Sequence, residues 1–202
     1  MAVFKTVYHV VCEGQSEVAY LASLNRFLNE NGIAYHFKSH NLRGVDVDKI
    51  SRIESRCRAV KKDNQKQDIY VWIDYDLFRR KGLTPEFVRK RIKSGKVLFS
   101  YENFEDFLAM HYEDSKFKAY YNACLQKNHF ITPLHSAEYL KLINSTIFDG
   151  DYDKSKLPDL DLDMKTLQMV IRRNDDSRYK SCCDFVKIIE RIICDAEVVE
   201  TM

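Results

Sequence analysis

Three carboxylates in this chain stand directly behind apolar runs. Glu13 follows "VYHVVC", and Asp74 and Asp76 close the stretch "DIYVWIDYD". If these runs are neighbouring strands of one sheet, the three side chains converge. Carboxylates that close repel one another unless protons or a cation neutralise them. Oxygen donors of this kind suit a hard divalent ion, magnesium or manganese. Gly14 lets the backbone approach such an ion or a phosphate, and a helix opening near Ser16 points its amide end the same way. Read singly, Glu13 is equally a polar turn residue, and D-x-D equally a solvated strand end.

The elements that must position these acids follow from apolar spacing. Residues 4–12 read as a strand buried on both faces, as in a parallel sheet. Over residues 16–29, Val18, Leu21, Leu24, Phe27 and Leu28 recur at helical spacing, and Gly32 supplies a stop. Further strands are expected at 33–40, 68–76 and 96–101. A charged helix is expected over 46–63, and a short one opens at Thr84 and Pro85, a cap followed by proline at the first helical position. "ENFEDFLAMHY" turns into helix, with more helix to about Leu125, over 136–143 and through "CCDFVKIIERII". Strand alternation in "IDYD" points both aspartates to one side with Tyr75 opposite. The expected fold class is α/β: a central, mostly parallel sheet of about four strands flanked by helices, then a helical C-terminal part. Such open sheets bind ligands beyond the carboxyl ends of their strands, which is where Glu13, Asp74 and Asp76 fall.

The 202 residues suffice for one good-sized domain or a domain with an appendage, and 12 Tyr and 12 Phe can fill its core. Six Gly and three Pro exclude collagen-like and low-complexity readings. A net charge of +2 makes any nucleic-acid binding a matter of local basic surface. Cys12, Cys57, Cys124, Cys182, Cys183 and Cys194 form no C-x-x-C pair, so they read as buried structural thiols rather than zinc ligands. The first residues lack a leader pattern, and no apolar run is long enough to span a bilayer. A cytoplasmic protein with reduced thiols and no membrane partner is the expectation.

Basic residues cluster behind the D-x-D. Arg79, Arg80, Lys81, Arg89, Lys90, Arg91, Lys93 and Lys96 have only Glu86 among them. Cations beside an acidic metal centre are what a phosphate backbone requires: they hold flanking phosphates while the metal takes the scissile one. Tyr75 and Phe78 offer rings for base stacking, although Phe78 also fits a core position. Arg52, Arg56, Arg58, Lys61, Lys62 and Lys66 read as the solvated face of a helix, and "RRNDDSRYK" from Arg172 is a third polar, basic patch. The run "DGDYDKSKLPDL" from Asp149 has acids at the first, third and fifth places of a calcium loop. It places Lys154 where glycine belongs and Leu160 where glutamate belongs, so 149–163 reads as an acidic surface loop. His9, His36, His40, His129 and His135 show no metal-ligand spacing, and no P-loop is present, so any ATPase would be a separate chain.

Taken in order, "CEGQSEVAYL", "VWIDYD" and "NFEDFLAMHY" resemble the RloB-like proteins, a group with a Toprim-type catalytic domain related to OLD-family and anti-phage Toprim nucleases. The resemblance implies a Toprim-like Rossmannoid core over residues 1–115 and a mainly helical extension over 116–202. It implies that Glu13, Asp74 and Asp76 hold Mg2+ or Mn2+. The family's Phe-Glu pair and later His fall on Phe104, Glu105 and His111, which makes Glu105 a further metal ligand and His111 a catalytic candidate. Where the family shows Asn-Pro-Cys this chain has "YEN", which adds Glu102 as a rival to Glu105. Glu17, four residues after Glu13, would orient the ligands or favour the helix N-terminus. The implied activity is metal-dependent cleavage of phosphodiesters in RNA, transfer RNA included, or DNA, in prokaryotic anti-phage or restriction-linked defence. An ATPase or defence-complex partner and a homodimer are compatible with it. Arg79, Arg80, Lys81, Arg89 and Lys93 would bind the nucleic acid. The rival reading is a non-catalytic module that binds nucleic acid or a partner on the same fold. Primer synthesis is a third reading, and no nucleotide-selecting or zinc-binding domain supports it.

Overall fold

The computed structural model describes residues 5–42, 50–132, 134, 136–148, 150, 152, 160–179 and 183–200. Its first half alternates β1 (Thr6–Cys12), α1 (Gln15–Glu30), β2 (Tyr35–Asn41), α2 (Ile50–Asp63) and β3 (Ile69–Asp74). A single turn, α3 (Asp76–Arg79), then leads through α4 (Pro85–Arg91) to β4 (Lys96–Ser100). The strands pair in parallel in the order β2-β1-β3-β4. This is the α/β, Rossmann-like arrangement expected from the alternation of apolar runs. The second half is helical: α5 (Phe104–Ala109), α6 (Asp114–Gln126), α7 (Ser136–Thr146), α8 (Met164–Asp175) and α9 (Val186–Glu200).

Side-chain alternation divides the core in two. Tyr8, Val10 and Cys12 of β1 with Tyr70 and Trp72 of β3 face α1 and the C-terminal helices. Val11, Ile69, Val71, Ile73 and Phe99 face α2 and α4 through Ile53, Cys57, Val60, Val88 and Ile92. Strands buried on both faces are apolar throughout, and that is why β1 and β3 carry so few polar residues. β2 lies at the sheet edge and is accordingly more polar.

Local chemistry sets the ends of the elements. α1 opens with the Glu17 carboxylate accepting the Gly14 amide at 3.0 Å, and it closes with Gly32 at φ +66°, the left-handed conformation glycine adopts freely. α4 begins as the sequence suggests: Thr84 Oγ1 accepts the Phe87 amide at 3.2 Å with Pro85 behind it. The turn into β4 needs Gly95, where a Cβ would stand 2.9 Å from Val71 Cγ2. Glu54 on α2 accepts both the Lys93 and Ser94 amides and so fastens that turn.

Three expectations are corrected, and one helix appears where none was assigned. The extended alternation through "IDYD" stops at Asp74: Tyr75 is helical and Asp76 begins α3, because Phe78 turns into the core. Helix α8 is the element without a sequence assignment. Asp163 caps it through the Thr166 amide, and Leu167 and Val170 anchor it. Cys194 is exposed rather than buried. Tyr152, inside the segment read as an acidic surface loop, is buried. The positions at 43–49, 135, 149, 151, 153–159, 180 and Cys182 lie outside the described residues. Among the described residues no helix is long and apolar enough to cross a membrane.

The helical half closes over the sheet. Phe185 stacks on Trp72 with ring centroids 4.2 Å apart and planes at 4°, and Tyr20, Phe104 and Phe107 surround the same indole. The Trp72 indole N–H donates to Ser100 Oγ at 3.0 Å. The segment before α9 lies antiparallel to the end of β4, where the Asp184 amide donates to the Phe99 carbonyl at 2.9 Å. That contact shields part of the sheet edge.

Candidate metal and nucleic-acid site

The order β2-β1-β3-β4 reverses direction between β1 and β3. Open α/β sheets hold ligands at that switch point, beyond the carboxyl ends of the strands. Glu13 and Asp74 are the residues standing there. The Glu13 amide donates to the Trp72 carbonyl at 3.1 Å, and Glu13 Oε2 accepts the Asp74 amide at 2.8 Å. The two acids are thus locked together across the crevice.

Asp74 is the centre of the cluster. Its Oδ1 is out of contact with solvent and has no hydrogen-bond partner among the described residues. Burial raises the Asp74 pKa well above the usual carboxylate range, and the charges of Glu13, Glu17, Glu105 and Asp76 raise it further. Four acids, from the turn after β1 and from α1, α3 and α5, therefore act on Asp74 at the end of β3. A buried acceptor without a donor, facing four more acids, is a destabilising arrangement for the apo fold. Hard oxygen donors and an orphaned carboxylate oxygen are the donor set that suits Mg2+ or Mn2+.

Glu105 and Glu102 take separate roles. The charge of Glu105 acts on Asp74. Glu102 is forked to the Arg79 guanidinium at 2.7 and 2.9 Å. Glu105 is set by Tyr152, whose O–H donates to Glu105 Oε1 at 3.1 Å. The Tyr152 backbone is clasped on both sides by the Asn144 amide, which accepts its N–H at 2.8 Å and donates to its carbonyl at 3.1 Å. Phe148 stacks on the ring at 4.5 Å. Sequence reasoning missed Tyr152. The available signal was an aromatic pair, Phe148 and Tyr152, inside an otherwise acidic run.

His111 lies in the core instead of the crevice. Its Nδ1–H donates to the Phe107 carbonyl at 3.2 Å, and Nε2 accepts from Tyr20 O–H at 3.0 Å. Burial holds its pKa down at about 4, so the ring is neutral at neutral pH.

The basic loop is more committed than its sequence suggests. Arg79 also donates to the Tyr101 carbonyl at 2.8 Å and lies over the Tyr75 ring. Arg89 pairs with Asp184 at 2.7 Å and lies over Phe99. Both act as ties between elements. Arg80 pairs with Asp76 at 2.9 Å, which places a cation at the rim of the acidic cluster. The side chains of Lys81 and Lys93 are exposed. Phe78 is fully buried, and Tyr75 spends its hydroxyl on the Leu83 carbonyl at 2.8 Å. In the third patch, Arg173 is buried and holds the Met110 carbonyl at 2.7 Å, and Arg178 pairs with Asp176 at 2.6 Å.

A second cluster was invisible to spacing arguments. Among the described residues, ligand atoms of Asp106, Cys124 and His129 lie within 4.8 Å of one another; the oxygens around Asp74 are not packed so tightly. Asp106 and His129 in this cluster are already hydrogen-bonded to protein groups. Tyr120 O–H donates to Asp106 Oδ1, His129 Nε2–H donates to Asp106 Oδ2 at 3.2 Å, and His129 Nδ1 accepts the Leu134 amide at 3.2 Å. Burial opposes protonation of His129, but the hydrogen bond and charge of Asp106, with Glu102, outweigh it and raise the pKa. This network braces α5 from below and so positions Glu105 from the adjacent residue.

No curated protein and no solved structure matches the chain at a significant level. One family model does, described as RloB-like protein, and it aligns with residues 8–192. That span takes in β1, the switch point, the acids at Asp74 and most of the helical half, and the chain belongs to the RloB-like family.

Proposed function

We propose that this protein is a divalent-metal-dependent nuclease of the Toprim type that cleaves phosphodiester bonds in RNA or DNA, in a prokaryotic anti-phage or restriction-linked setting. The observation that carries the reading is Asp74 Oδ1, buried and without a donor, at a sheet switch point where Glu13, Glu17, Glu105 and Asp76 all bear on it. The residues fit a hard cation. Magnesium keeps several waters and takes few direct carboxylates, so a loose ring of acids serves it better than a tight trio.

In this reading Asp74, Asp76 and Glu105 would hold the ion, which when bound would supply Lewis-acid polarisation of a phosphate and an acidified water. Glu13 takes the proton of the attacking water. Glu17 fixes the Glu13–Gly14 turn through the Gly14 amide, and Tyr152 orients Glu105. Arg80 faces the negative charge that develops on the phosphate. A P-loop is absent from the sequence, so any ATP-driven control comes from a partner chain.

The test is cleavage of a mixed panel of RNA, transfer RNA and DNA, with Mn2+, Mg2+ or EDTA, by wild type, Glu13→Gln and Asp74→Asn. Metal-dependent cleavage by wild type alone is expected. Wild-type protein that binds nucleic acid but cleaves nothing with either metal would favour the non-catalytic module.

A further inference from the structure

Beside the acidic cluster, on its β2 side, is a cavity of about 670 Å³ that the reading above does not use. Gln15, Val18, His40, Asn41, Leu42 and Arg56 contribute to its walls. It stands at the carboxyl edge of the sheet. Cys12 pairs with Asn41 in register, and the Leu42 amide donates to the Cys12 carbonyl at 3.0 Å. The cavity therefore adjoins the Glu13–Gly14 turn. β1 separates β2 from β3, so the cavity is two strand spacings from Asp74, roughly 10 Å. That is within reach of the next nucleotide along a chain whose phosphate lies at Asp74.

The chemistry of the walls is specific. Arg56 makes no ion pair or hydrogen bond among the described residues, and its side chain is exposed into this space. His40 is not a second cation. Gln67 Oε1 accepts from His9 Nε2–H, which leaves His9 Nδ1 to accept from His40 Nε2–H at 2.9 Å, and the two rings stack at 14°. Burial, with the charges of His9, Arg56 and Lys38, holds the His40 pKa at about 4. A neutral ring pinned in one tautomer is thus set beside one guanidinium. Val18 and Leu42 add apolar surface, and Gln15 adds a side-chain amide. Arginine binds phosphate with directed hydrogen bonds, and neutral polar groups over an apolar floor suit a base and sugar.

The geometry points to this cavity as a nucleoside-phosphate subsite, with Arg56 holding the phosphate. As a flanking subsite it rests on the nuclease reading; as a nucleotide pocket it stands without it. The ligand's source is either the nucleic-acid chain being cut or a free mononucleotide.

The experiment measures binding by wild type, Arg56→Gln, Arg56→Lys and a charge-matched control on the same helix, Lys61→Gln. Probes are a labelled single-stranded oligoribonucleotide, its DNA equivalent and adenosine 5′-monophosphate, all in EDTA. Mn2+ binding is followed separately by electron paramagnetic resonance. Arg56→Gln is expected to weaken oligonucleotide binding about tenfold and to lower the slope of log K against log salt by about 0.7. Arg56→Lys should keep the slope, Lys61→Gln should resemble wild type, and Mn2+ binding should be the same in all four. Adenosine monophosphate binding that depends on Arg56, without oligonucleotide binding, assigns the pocket to a free nucleotide. Arg56-dependent binding without cleavage under any metal keeps the subsite and removes the nuclease. Arg56→Gln that matches Lys61→Gln on every probe, or wild type that binds none of them, overturns the subsite whatever the protein cleaves.

Discussion

Replacing Asp74 with Asn should abolish activity and yet stabilise the metal-free fold. Asp74 is a buried acceptor surrounded by Glu13, Glu17, Glu105 and Asp76. A like-charge pair 4 Å apart at an effective dielectric of about 20 costs about 4 kcal/mol. The acids here are spaced more widely, so the expected net gain is about 1–2 kcal/mol. For a chain of this length that raises Tm by about 2–8 °C. Divalent cation reverses the ranking. Saturating Mn2+ at a hundredfold excess over Kd adds about 2.7 kcal/mol to wild type, a Tm rise of roughly 5–11 °C, while Asp74→Asn gains little. Calorimetry of both proteins in EDTA and in Mn2+ reads all four values. If the variant is no more stable than wild type in EDTA, and both respond equally to Mn2+, then Asp74 is not the strained centre and the metal assignment fails.

Three further outcomes follow from the same contacts. Tyr152→Phe removes the hydrogen bond to Glu105 and should weaken Mn2+ binding about tenfold with little loss of secondary structure, read by metal titration with circular dichroism. Glu102→Gln breaks the fork to Arg79 and should cost about 2 kcal/mol in urea unfolding while leaving Mn2+ affinity intact; a loss of metal binding would reinstate Glu102 as a ligand. The folded pKa of His111, about 4, lies below its ordinary 6.5, so the unfolded chain takes up the proton first. The stability contributed by His111 is therefore complete above about pH 6.5 and falls by roughly 3 kcal/mol as pH drops to 4. His111→Gln should flatten that part of the pH–stability curve, and an unchanged curve would refute the buried neutral imidazole.

Much of this architecture was legible because parallel strands must be apolar on both faces. "VYHVVC" and "DIYVWI" can bury themselves in few other ways, and the acids behind them then fall at the carboxyl edge. The Thr84-Pro85 cap and the Gly32 stop were legible for the same reason: each residue type satisfies a backbone requirement of its own position. What failed to show was long-range pairing. Nothing near Arg79 or Arg89 in sequence says that Glu102 and Asp184 will neutralise them. Asp106, Cys124 and His129 have no shared spacing and meet only because α5 and α6 pack together with the turn that follows. Tyr152 was hidden in an acidic run whose charge suggested solvent. The D-x-D reading missed the bend at Tyr75 because alternation says where side chains point only while the strand lasts.

The same long-range contacts show what the helical half does for the crevice. Glu13 is held by the sheet: its carboxylate accepts the Asp74 amide and its own amide donates to the Trp72 carbonyl. Glu105 is reached from the helical half: Tyr152, which Asn144 of α7 clasps, donates to it, and its neighbour Asp106 is held by His129 and Tyr120. On the other sheet face Asp184, just before α9, gathers the Phe99 amide, Arg89 and Tyr101. The helical half thus touches both Glu105, through α7 and Tyr152, and the end of β4, through Asp184. In the proposed reading, a movement of α7 would reach the acidic centre through Asn144, Tyr152 and Glu105.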